Sequence, residues 1–139
     1  MSFDESCIFC KIVRKKAMAS IIYEDGSVMA FLDIRPLNQG HTLVISKKHY
    51  SDIFDISENL LSKIHKTTKK ISMAVKKATS ADGISIIQQN CRAAGQDIFH
   101  FHVHVVPRFD GQKLASFREL KEAERAQLED IAKKIKGYL

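Results

Sequence analysis

The segment from residue 99 to residue 107 reads Phe-His-Phe-His-Val-His-Val-Val-Pro, and this alternation of apolar residues with histidines restricts the fold more than any other part of the chain. Successive side chains of a β-strand point to opposite faces. A strand over this segment therefore places His100, His102 and His104 on one face, roughly 6 to 7 Å apart along the strand. Its other face carries Phe99, Phe101, Val103 and Val105. Three imidazoles packed in a core would each need a hydrogen-bond partner, so the pattern favours a buried apolar row and a row of histidines that faces a cleft.

Apolar periodicity and turn residues predict an antiparallel sheet around this strand. Asp25-Gly26 supplies the positive φ that a tight hairpin needs. Ser57 can cap a helix that runs to about residue 79, and a second helical pattern from about residue 116 to 136 ends at Gly137. The other strands are predicted at residues 20–24, 27–33, 41–46 and 84–89. Because the strands are mostly consecutive, we predict an α+β fold with a five-stranded antiparallel sheet and two main helices.

The size and composition of the chain are typical of one globular domain that spans residues 1–139, since 45% of the residues are apolar and 27% are charged. The sequence contains neither a long apolar run nor a secretory signal pattern, so we expect a cytoplasmic protein with no membrane partner. A formal net charge of +6 suits an anionic ligand. The lysines of the first long helix lie opposite its apolar residues, and we interpret them as a solvated face, so no nucleic-acid partner is expected.

The three cysteines, at positions 7, 10 and 91, cannot form a closed set of disulfides. Two of them form the motif Cys7-Ile-Phe-Cys10, which points to metal binding or redox chemistry in a reducing compartment. A redox motif of this kind follows a strand in a βαβ unit, and the sequence predicts no such unit here. Metal binding is therefore the favoured interpretation.

The residues from His100 to Val106 fit the pattern His-φ-His-φ-His-φ-φ, where φ is apolar, at every position, and they resemble the signature of the histidine triad (HIT) family. The resemblance extends over about residues 7 to 109. Further segments that look like family landmarks, in family order, are residues 7–12, 30–34, 40–45, 48–49 and 95–96. Because the third histidine is His104 and not glutamine, the chain is more similar to the hydrolases of the family than to its sugar-phosphate transferases.

The resemblance implies hydrolysis or transfer of a nucleoside monophosphate group. The middle histidine, His102, would attack the α-phosphorus and form a nucleotidyl-histidine that water then releases. An imidazole is a good neutral nucleophile near pH 7, so this chemistry is physically reasonable. His104 would donate hydrogen bonds to phosphate oxygens, and His41 would support His102 from the neighbouring strand. His100 belongs to the same catalytic row unless it binds a metal, in which case its role is structural.

The resemblance also implies a nucleoside site for an AMP-like substrate. It assigns the base clamp to Ile8, Phe9, Ile12 and Phe31, although core packing alone would explain these residues. Asp33 would accept hydrogen bonds from the ribose hydroxyls, or it could simply cap a turn. Gln89 or Asn90 would lie near the sugar and the α-phosphate, and the main-chain amides around Gly95, Gln96 and Asp97 would face the phosphate.

Members of the bacterial type of this family imply a structural zinc held by Cys7, Cys10, His49 and His100. A tetrahedral Cys₂His₂ set is a suitable closed site for zinc. The family also implies a homodimer.

Two positions depart from the family pattern. Asp97 stands where many relatives have Ser or Thr near the leaving group, and Cys91 stands where Gly is frequent. The triad does not choose between nucleoside phosphoramidates and dinucleoside polyphosphates as substrates, since both place the same atoms at the α-phosphorus. Two other functions stay open at this point. They are a catalytic zinc hydrolase with a three-histidine site that includes His41, and a nucleotide-binding module without catalysis.

Overall fold

Five antiparallel strands form one sheet in the computed structural model, which describes residues 3–116 and 119–139. The strands are β1 (Ile21–Glu24), β2 (Val28–Leu32), β3 (Thr42–Ser46), β4 (Gly83–Ile87) and β5 (His102–Arg108), and their order in the sheet is β1-β2-β3-β5-β4. The helices are α1 (Ile8–Val13), α2 (Glu58–Thr79) and α3 (Arg125–Lys136), with a short 3₁₀ helix at Arg92–Ala94. This confirms the predicted α+β class and five-stranded sheet, and it adds α1 to the two predicted main helices.

The first two strands are joined by the predicted hairpin turn. The carboxylate of Asp25 accepts hydrogen bonds from the backbone N–H groups of Ser27 and Val28, both at 2.8 Å. The two strands then pair in antiparallel register, with an irregularity between Ile21 and Tyr23. The hairpin is where the sequence predicted it, but the predicted reason is wrong: neither Asp25 nor Gly26 adopts a positive φ. The aspartate side chain satisfies the turn's own backbone donors instead.

Helices α2 and α3 cover the apolar face of the sheet. Ser57 caps α2 by accepting a hydrogen bond from the N–H of Leu60 at 3.2 Å, as predicted. The larger core cluster contains residues of α2 and α3 together with Phe101, Val103 and Val105. None of the described helices has the length and apolarity that a membrane crossing requires.

The opposite face of the sheet is also buried, and α1 contributes to its cover. A smaller cluster there consists of Phe9, Ile12, Met29, Phe31, Leu43 and Ile45. Leu43 and Ile45 pair across the β3–β5 ladder with His104 and His102. The histidine row thus faces the side of the sheet that α1 packs against.

Two predicted boundaries are wrong. The strand β5 begins at His102 and not at residue 99, because the N–H of Phe101 donates to the carbonyl of Tyr50 at 2.6 Å before the ladder with β3 starts. Phe99 was expected in the buried row and is instead 45% exposed.

The C-terminal helix α3 begins at Arg125, although helical periodicity predicted a start near residue 116. Ala123 and Leu120, which belong to that periodic pattern, lie before the helix. The N–H of Ala123 donates to the carbonyl of Ile34 at 2.8 Å, so this stretch makes tertiary contacts in place of helical ones. Residues 117 and 118 of the predicted helix lie outside the described residues.

Candidate active site and metal centre

His102 opens β5, and its surroundings fix one tautomer of its imidazole. Its Nδ1–H donates to the backbone carbonyl of His100 at 2.7 Å, so Nε2 carries the lone pair. The side chain is only 6% exposed, and its ring lies edge-on to the ring of Phe9 with centroids 5.2 Å apart. Burial lowers the pKa of His102, while the hydrogen bond to His100 and the charge of Asp97 oppose that shift. A neutral imidazole with an available nitrogen is the form that attacks an electrophile.

His41 fixes the tautomer of His104 in turn. The N–H of Leu37 donates to Nδ1 of His41 at 3.0 Å, so His41 carries its proton on Nε2 and donates it to Nδ1 of His104, 2.9 Å away. His104 must then hold its own proton on Nε2. Burial lowers the pKa of His41 to about 3 and that of His104 to about 4, so both rings are neutral at pH 7. The structure thus brings His41 to His104 and not to His102, the residue that the family resemblance gave it to support.

A cavity of about 300 Å³ lies beside His102 and His104 of β5. This is the size of a small ligand site. Its apolar part contains all four residues of the expected base clamp: Ile8, Phe9, Ile12 and Phe31. The rings of Phe9 and Phe31 pack edge to face with centroids 5.4 Å apart. Its polar part includes His102, His104, Asp33 and Asp97, so eight of the predicted residues line one cavity.

Asp33 supplies a carboxylate to the wall of this cavity. One oxygen accepts a hydrogen bond from the N–H of Arg35 at 2.9 Å, and the other lies 3.6 Å from Nε2 of His41. The side chain is 19% exposed. Burial raises the pKa of Asp33 to about 6, and the nearby charge of Asp97 acts in the same direction. Asp33 is therefore mostly ionised at pH 7 and can accept two hydrogen bonds from a ligand's hydroxyl groups.

The loop between β4 and β5 positions Asp97, and its other polar residues hold the loop together. Gln96 is buried: its Oε1 accepts from the N–H of Cys91 at 2.7 Å, and its Nε2 donates to the carbonyl of Ser51 at 2.6 Å. Oδ1 of Asn90 accepts from the N–H of Ile53 at 2.8 Å. Neither Gln96 nor Asn90 lines the cavity.

Gln89 and Gly95 belong to the same loop scaffold. Gly95 has a φ of +93°, and a Cβ there would lie 2.7 Å from Nε2 of Gln89. The N–H groups of Gly95 and Gln96 donate to the carbonyls of Arg92 and Cys91. Within residues 3–116 and 119–139, the N–H of Asp97 has no such backbone partner. Of the three main-chain amides at residues 95–97, the one of Asp97 is therefore available to a ligand.

His100 lies outside the cavity and belongs to a separate cluster with the two cysteines of α1. Its Nε2–H donates to the carbonyl of Ser46 at 2.6 Å, so its Nδ1 carries the lone pair and faces Cys7 Sγ at 3.3 Å and Cys10 Sγ at 3.6 Å. Nδ1 of His49 lies 3.3 Å from Cys10 Sγ. The expectation of one uniform row of histidines facing a cleft is therefore wrong for His100: its ring stays on the same side of the sheet as that of His102, but the two cysteines cover it.

The four ligand atoms of this cluster lie within 4.8 Å of one another. Two thiols and two imidazole nitrogens that face one another around a common centre are a donor set that suits zinc. Burial raises the pKa of the Cys10 thiol to about 11, so a bound cation is needed to keep that sulfur ionised at pH 7. The carbonyl of Ser46 and the carboxylate of Asp4, 3.9 Å from His49 Nε2, orient the two imidazoles from behind. These residues fit a structural zinc ion.

Several residues that line the cavity were not predicted from the sequence. They are Met18, Ala19, Leu32, Ile34, Arg35, Leu43, Ile98, Leu120 and Arg125. Some of them adjoin residues that were predicted, such as Arg35 beside Asp33. Leu120 and Arg125 reach the cavity only through tertiary packing of the C-terminal segment, and no local pattern indicates that.

Comparison with known proteins identifies close relatives of this arrangement. A family model described as "HIT domain" matches residues 14–111. An uncharacterized HIT-like protein of Methanocaldococcus jannaschii is 42% identical over 132 residues, which are 94% of this chain and 99% of that protein. An adenylylsulfatase of Arabidopsis thaliana is 36% identical over 107 residues, 77% of this chain and 54% of that enzyme.

Two crystal structures are close in both fold and sequence. A Hit-like protein from Bartonella henselae, described as involved in cell-cycle regulation and holding an unknown ligand, superposes with a TM-score of 0.93 at 39% identity, covering 100% of both chains. A zinc-bound histidine triad family protein from Mycobacterium smegmatis superposes with a TM-score of 0.85 at 36% identity, covering 96% of this chain and 92% of that one.

Proposed function

The chain belongs to the histidine triad (HIT) family, a superfamily of nucleotide-binding proteins and hydrolases, and from this premise we propose that it cleaves at the α-phosphorus of purine nucleoside phosphoramidates or dinucleoside polyphosphates. The reaction proceeds through a nucleotide covalently bound to His102. The observation that carries the proposal is the tautomer pair at the cavity: Nε2 of His102 holds a lone pair, and Nε2 of His104 holds a proton. A nucleophile and a hydrogen-bond donor side by side suit attack on a phosphoryl group.

In the first step, Nε2 of His102 forms a bond to the α-phosphorus while the bond from phosphorus to the leaving group breaks. The leaving group departs with the electron pair of that bond and takes a proton from solvent. The Nδ1–H of His102 stays bonded to the carbonyl of His100, which stabilises the positive charge that the ring acquires. His104 donates its Nε2–H to a phosphate oxygen. In the second step, water attacks the phosphorus and releases a proton to solvent, while the phosphorus–nitrogen bond breaks and His102 leaves with its electron pair as neutral imidazole.

The nucleoside lies along the apolar part of the cavity in this proposal. The base contacts Phe9 and Phe31, and Asp33 accepts hydrogen bonds from the ribose hydroxyls. The N–H of Asp97 donates to a phosphate oxygen, since the amides of Gly95 and Gln96 already have backbone partners. Gln89, Asn90 and the Gln96 side chain act on the nucleotide through the loop that they hold.

We also propose that Cys7, Cys10, His49 and His100 bind a structural zinc ion, which supplies no chemistry to the reaction. The support is the fit of the donor set and the similarity to a zinc-bound relative. His100 then has a positioning role through its carbonyl.

A homodimer is the partner proposed beside the nucleotide. Strand β4 lies at an edge of the sheet, and Ile86 on it is 45% exposed. An edge strand offers unpaired backbone groups that a second copy can use.

The decisive test is mass spectrometry of protein quenched with adenosine 5′-phosphoramidate, on the unmodified chain, on His102→Ala, and on His65→Ala. His65 is an exposed histidine of α2 and serves as the matched control. We expect a peptide containing His102 to gain one nucleotidyl group in the unmodified chain and in His65→Ala, and none in His102→Ala.

Two results would favour the other functions. Turnover that chelation abolishes, without any adduct, points to a catalytic zinc hydrolase. Nucleotide binding without turnover or adduct points to a binding module. The cluster of Asp33, His41 and His104 has metal-compatible spacing, but the direct 2.9 Å hydrogen bond between its two imidazoles serves the phosphoryl mechanism better.

A further inference from the structure

The cavity contains two carboxylates whose surroundings differ. Asp33 is largely buried, accepts a hydrogen bond from the N–H of Arg35 and lies 3.6 Å from Nε2 of His41. Asp97 is exposed and lines the same cavity. Among residues 3–116 and 119–139, no side chain forms an ion pair or a hydrogen bond with the Asp97 carboxylate. Its negative charge therefore has no direct partner among these described residues and acts on whatever occupies the cavity.

The charge of Asp97 reaches the reacting centre. It favours the protonated forms of both His102 and His104, against the effect of burial, and it opposes ionisation of Asp33. These three groups surround the place where the phosphate is proposed to bind. Asp97 is therefore close enough to influence a charged group attached to that phosphate.

The two arginines among the described lining residues act elsewhere: the charge of Arg35 favours ionisation of Asp33, whereas the pKa values of His102 and His104 respond to the charge of Asp97 and not to that of an arginine. Arg35 lies 3.8 Å from the carboxylate of Glu122. The guanidinium of Arg125 donates to Oγ of Ser20 at 3.0 Å. Among residues 3–116 and 119–139, Asp97 is therefore the carboxylate whose charge acts on both reacting histidines.

With the nucleoside placed along the apolar wall, the remaining polar side, which bears Asp97, is left for the leaving group. The nucleoside occupies the apolar wall, and His102 and His104 are each only 6% exposed. Asp97 is exposed at the mouth, where a departing group passes into solvent. A dinucleoside polyphosphate loses a nucleotide with several negative charges, whereas a phosphoramidate loses an amine.

We propose that Asp97 selects the leaving group of the proposed reaction: it rejects polyphosphates and favours phosphoramidates whose amine carries a second, cationic ammonium group. This inference rests on the proposed function and names its substrate class. In the favoured reaction the phosphorus–nitrogen bond breaks, its electron pair leaves with the amine nitrogen, and that nitrogen takes a proton from solvent. Repulsion of the wrong substrate by a fixed like charge is a common source of specificity.

The experiment compares kcat/KM for three substrates. Two are adenosine 5′-phosphoramidates, one of 1,5-diaminopentane and one of pentylamine, which has the same length without the ammonium group. The third is diadenosine triphosphate. The variants are Asp97→Asn, which keeps the backbone amide and the side-chain shape, and Asp110→Asn, an exposed acid outside the cavity lining, as control.

We expect the unmodified chain to prefer the diamine conjugate over the pentylamine conjugate by about three- to fivefold, and this preference to fall to about one in Asp97→Asn. The kcat/KM for diadenosine triphosphate divided by the kcat/KM for the pentylamine conjugate should rise about tenfold or more in Asp97→Asn, because the variant no longer repels the several negative charges of the polyphosphate leaving group. Both effects should shrink at high salt. Ratios are used because any change in His102 itself scales all three substrates alike.

The outcomes separate the two proposals. If His102 forms the nucleotide adduct but both ratios are the same in Asp97→Asn, in Asp110→Asn and in the unmodified chain, the role of Asp97 is refuted and the proposed function stands. If none of the three substrates gives an adduct, the proposed function fails and the inference fails with it.

Discussion

The proposed metal cluster and the proposed nucleotide cavity both include residues of α1, so loss of a bound metal should weaken nucleotide binding. Phe9 lies between Cys7 and Cys10 in the sequence, and its ring contacts those of Phe31 at 5.4 Å and His102 at 5.2 Å. The perturbation that we consider is Cys10→Ala, which removes one of the four ligand atoms.

The magnitude follows from the small size of α1, which has six residues and buries Phe9, Cys10 and Ile12. Burial of these side chains contributes about 5 to 6 kcal/mol. Fixing the backbone of the helix costs about 6 to 9 kcal/mol, at roughly 1 to 1.5 kcal/mol per residue. The two sums nearly cancel, and helices this short are unstable alone in water. Without the metal, α1 should therefore leave the sheet in a large fraction of molecules.

We expect Cys10→Ala to keep its sheet, because the larger core cluster contains no residue of α1. The amides of residues 8–13 should lose hydrogen-exchange protection. The Kd for a nucleoside monophosphate should rise about five- to one-hundredfold, since stacking of a base on an aromatic side chain is worth about 1 to 3 kcal/mol. Calorimetry and hydrogen exchange measure these effects without any catalytic assay.

Cys91→Ala is the matched control, because Cys91 is exposed and lies far from α1 in the sequence. Chelation of the unmodified chain should reproduce the behaviour of Cys10→Ala. If α1 keeps its protection in Cys10→Ala and the Kd stays within twofold of that of Cys91→Ala, then packing alone holds α1 and the coupling is refuted.

Two further predictions concern the backbone and the buried carboxylate. Gly40→Ala should lower the free energy of unfolding by about 1 to 3 kcal/mol in urea titrations, because the φ of Gly40 is +99° and the added Cβ would lie 2.8 Å from Cγ2 of Thr79. The control is Gly26→Ala, where an added Cβ has nothing within 4 Å, and it should change the free energy of unfolding by less than about 1 kcal/mol. Asp33→Asn should raise the free energy of unfolding by about 2 to 3 kcal/mol at pH 8 and by little at pH 4, while weakening nucleotide binding. The folded-state pKa of Asp33 is raised to about 6, so ionising this carboxyl makes the folded unmodified chain less stable as the pH rises from about 4 through 6. Asparagine does not ionise and avoids this loss. An equal gain in the free energy of unfolding at both pH values would contradict this reasoning.

Much of the sheet follows from local rules that the sequence displays openly. The alternation in β5, the aspartate-glycine turn and the Ser57 cap each satisfy their own backbone groups or their own buried face. Such signals act within a few residues, so they are readable without tertiary structure. The cavity residues Phe9, Ile12 and Phe31 were also readable from the sequence. Phe9 and Ile12 lie on one face of α1, Phe31 lies on one face of β2 with Met29, and all four side chains are buried in the smaller cluster.

The C-terminal segment shows where local rules fail. Leu120 and Ala123 occur at helical spacing, yet the chain there is anchored by a hydrogen bond from Ala123 to the carbonyl of Ile34. Leu120 lines the cavity and Ala123 packs against the larger core cluster, so their partial burial comes from tertiary contact. Periodicity reports that a residue is buried, but it does not report which surface buries it.

The division of the histidine row is a second consequence of tertiary contacts that spacing cannot reveal. Alternation continues to His100, since Phe101 packs with Val103 and Val105 while the ring of His100 lies 5.7 Å from that of Phe9 on the other face. What separates His100 from the cavity is the pair of cysteines that approaches its Nδ1. Its carbonyl still accepts the Nδ1–H of His102. One residue therefore joins the two sites, with its side chain in the metal cluster and its backbone holding the proposed nucleophile, and this is why a change at the cysteines is expected to reach the reacting histidine.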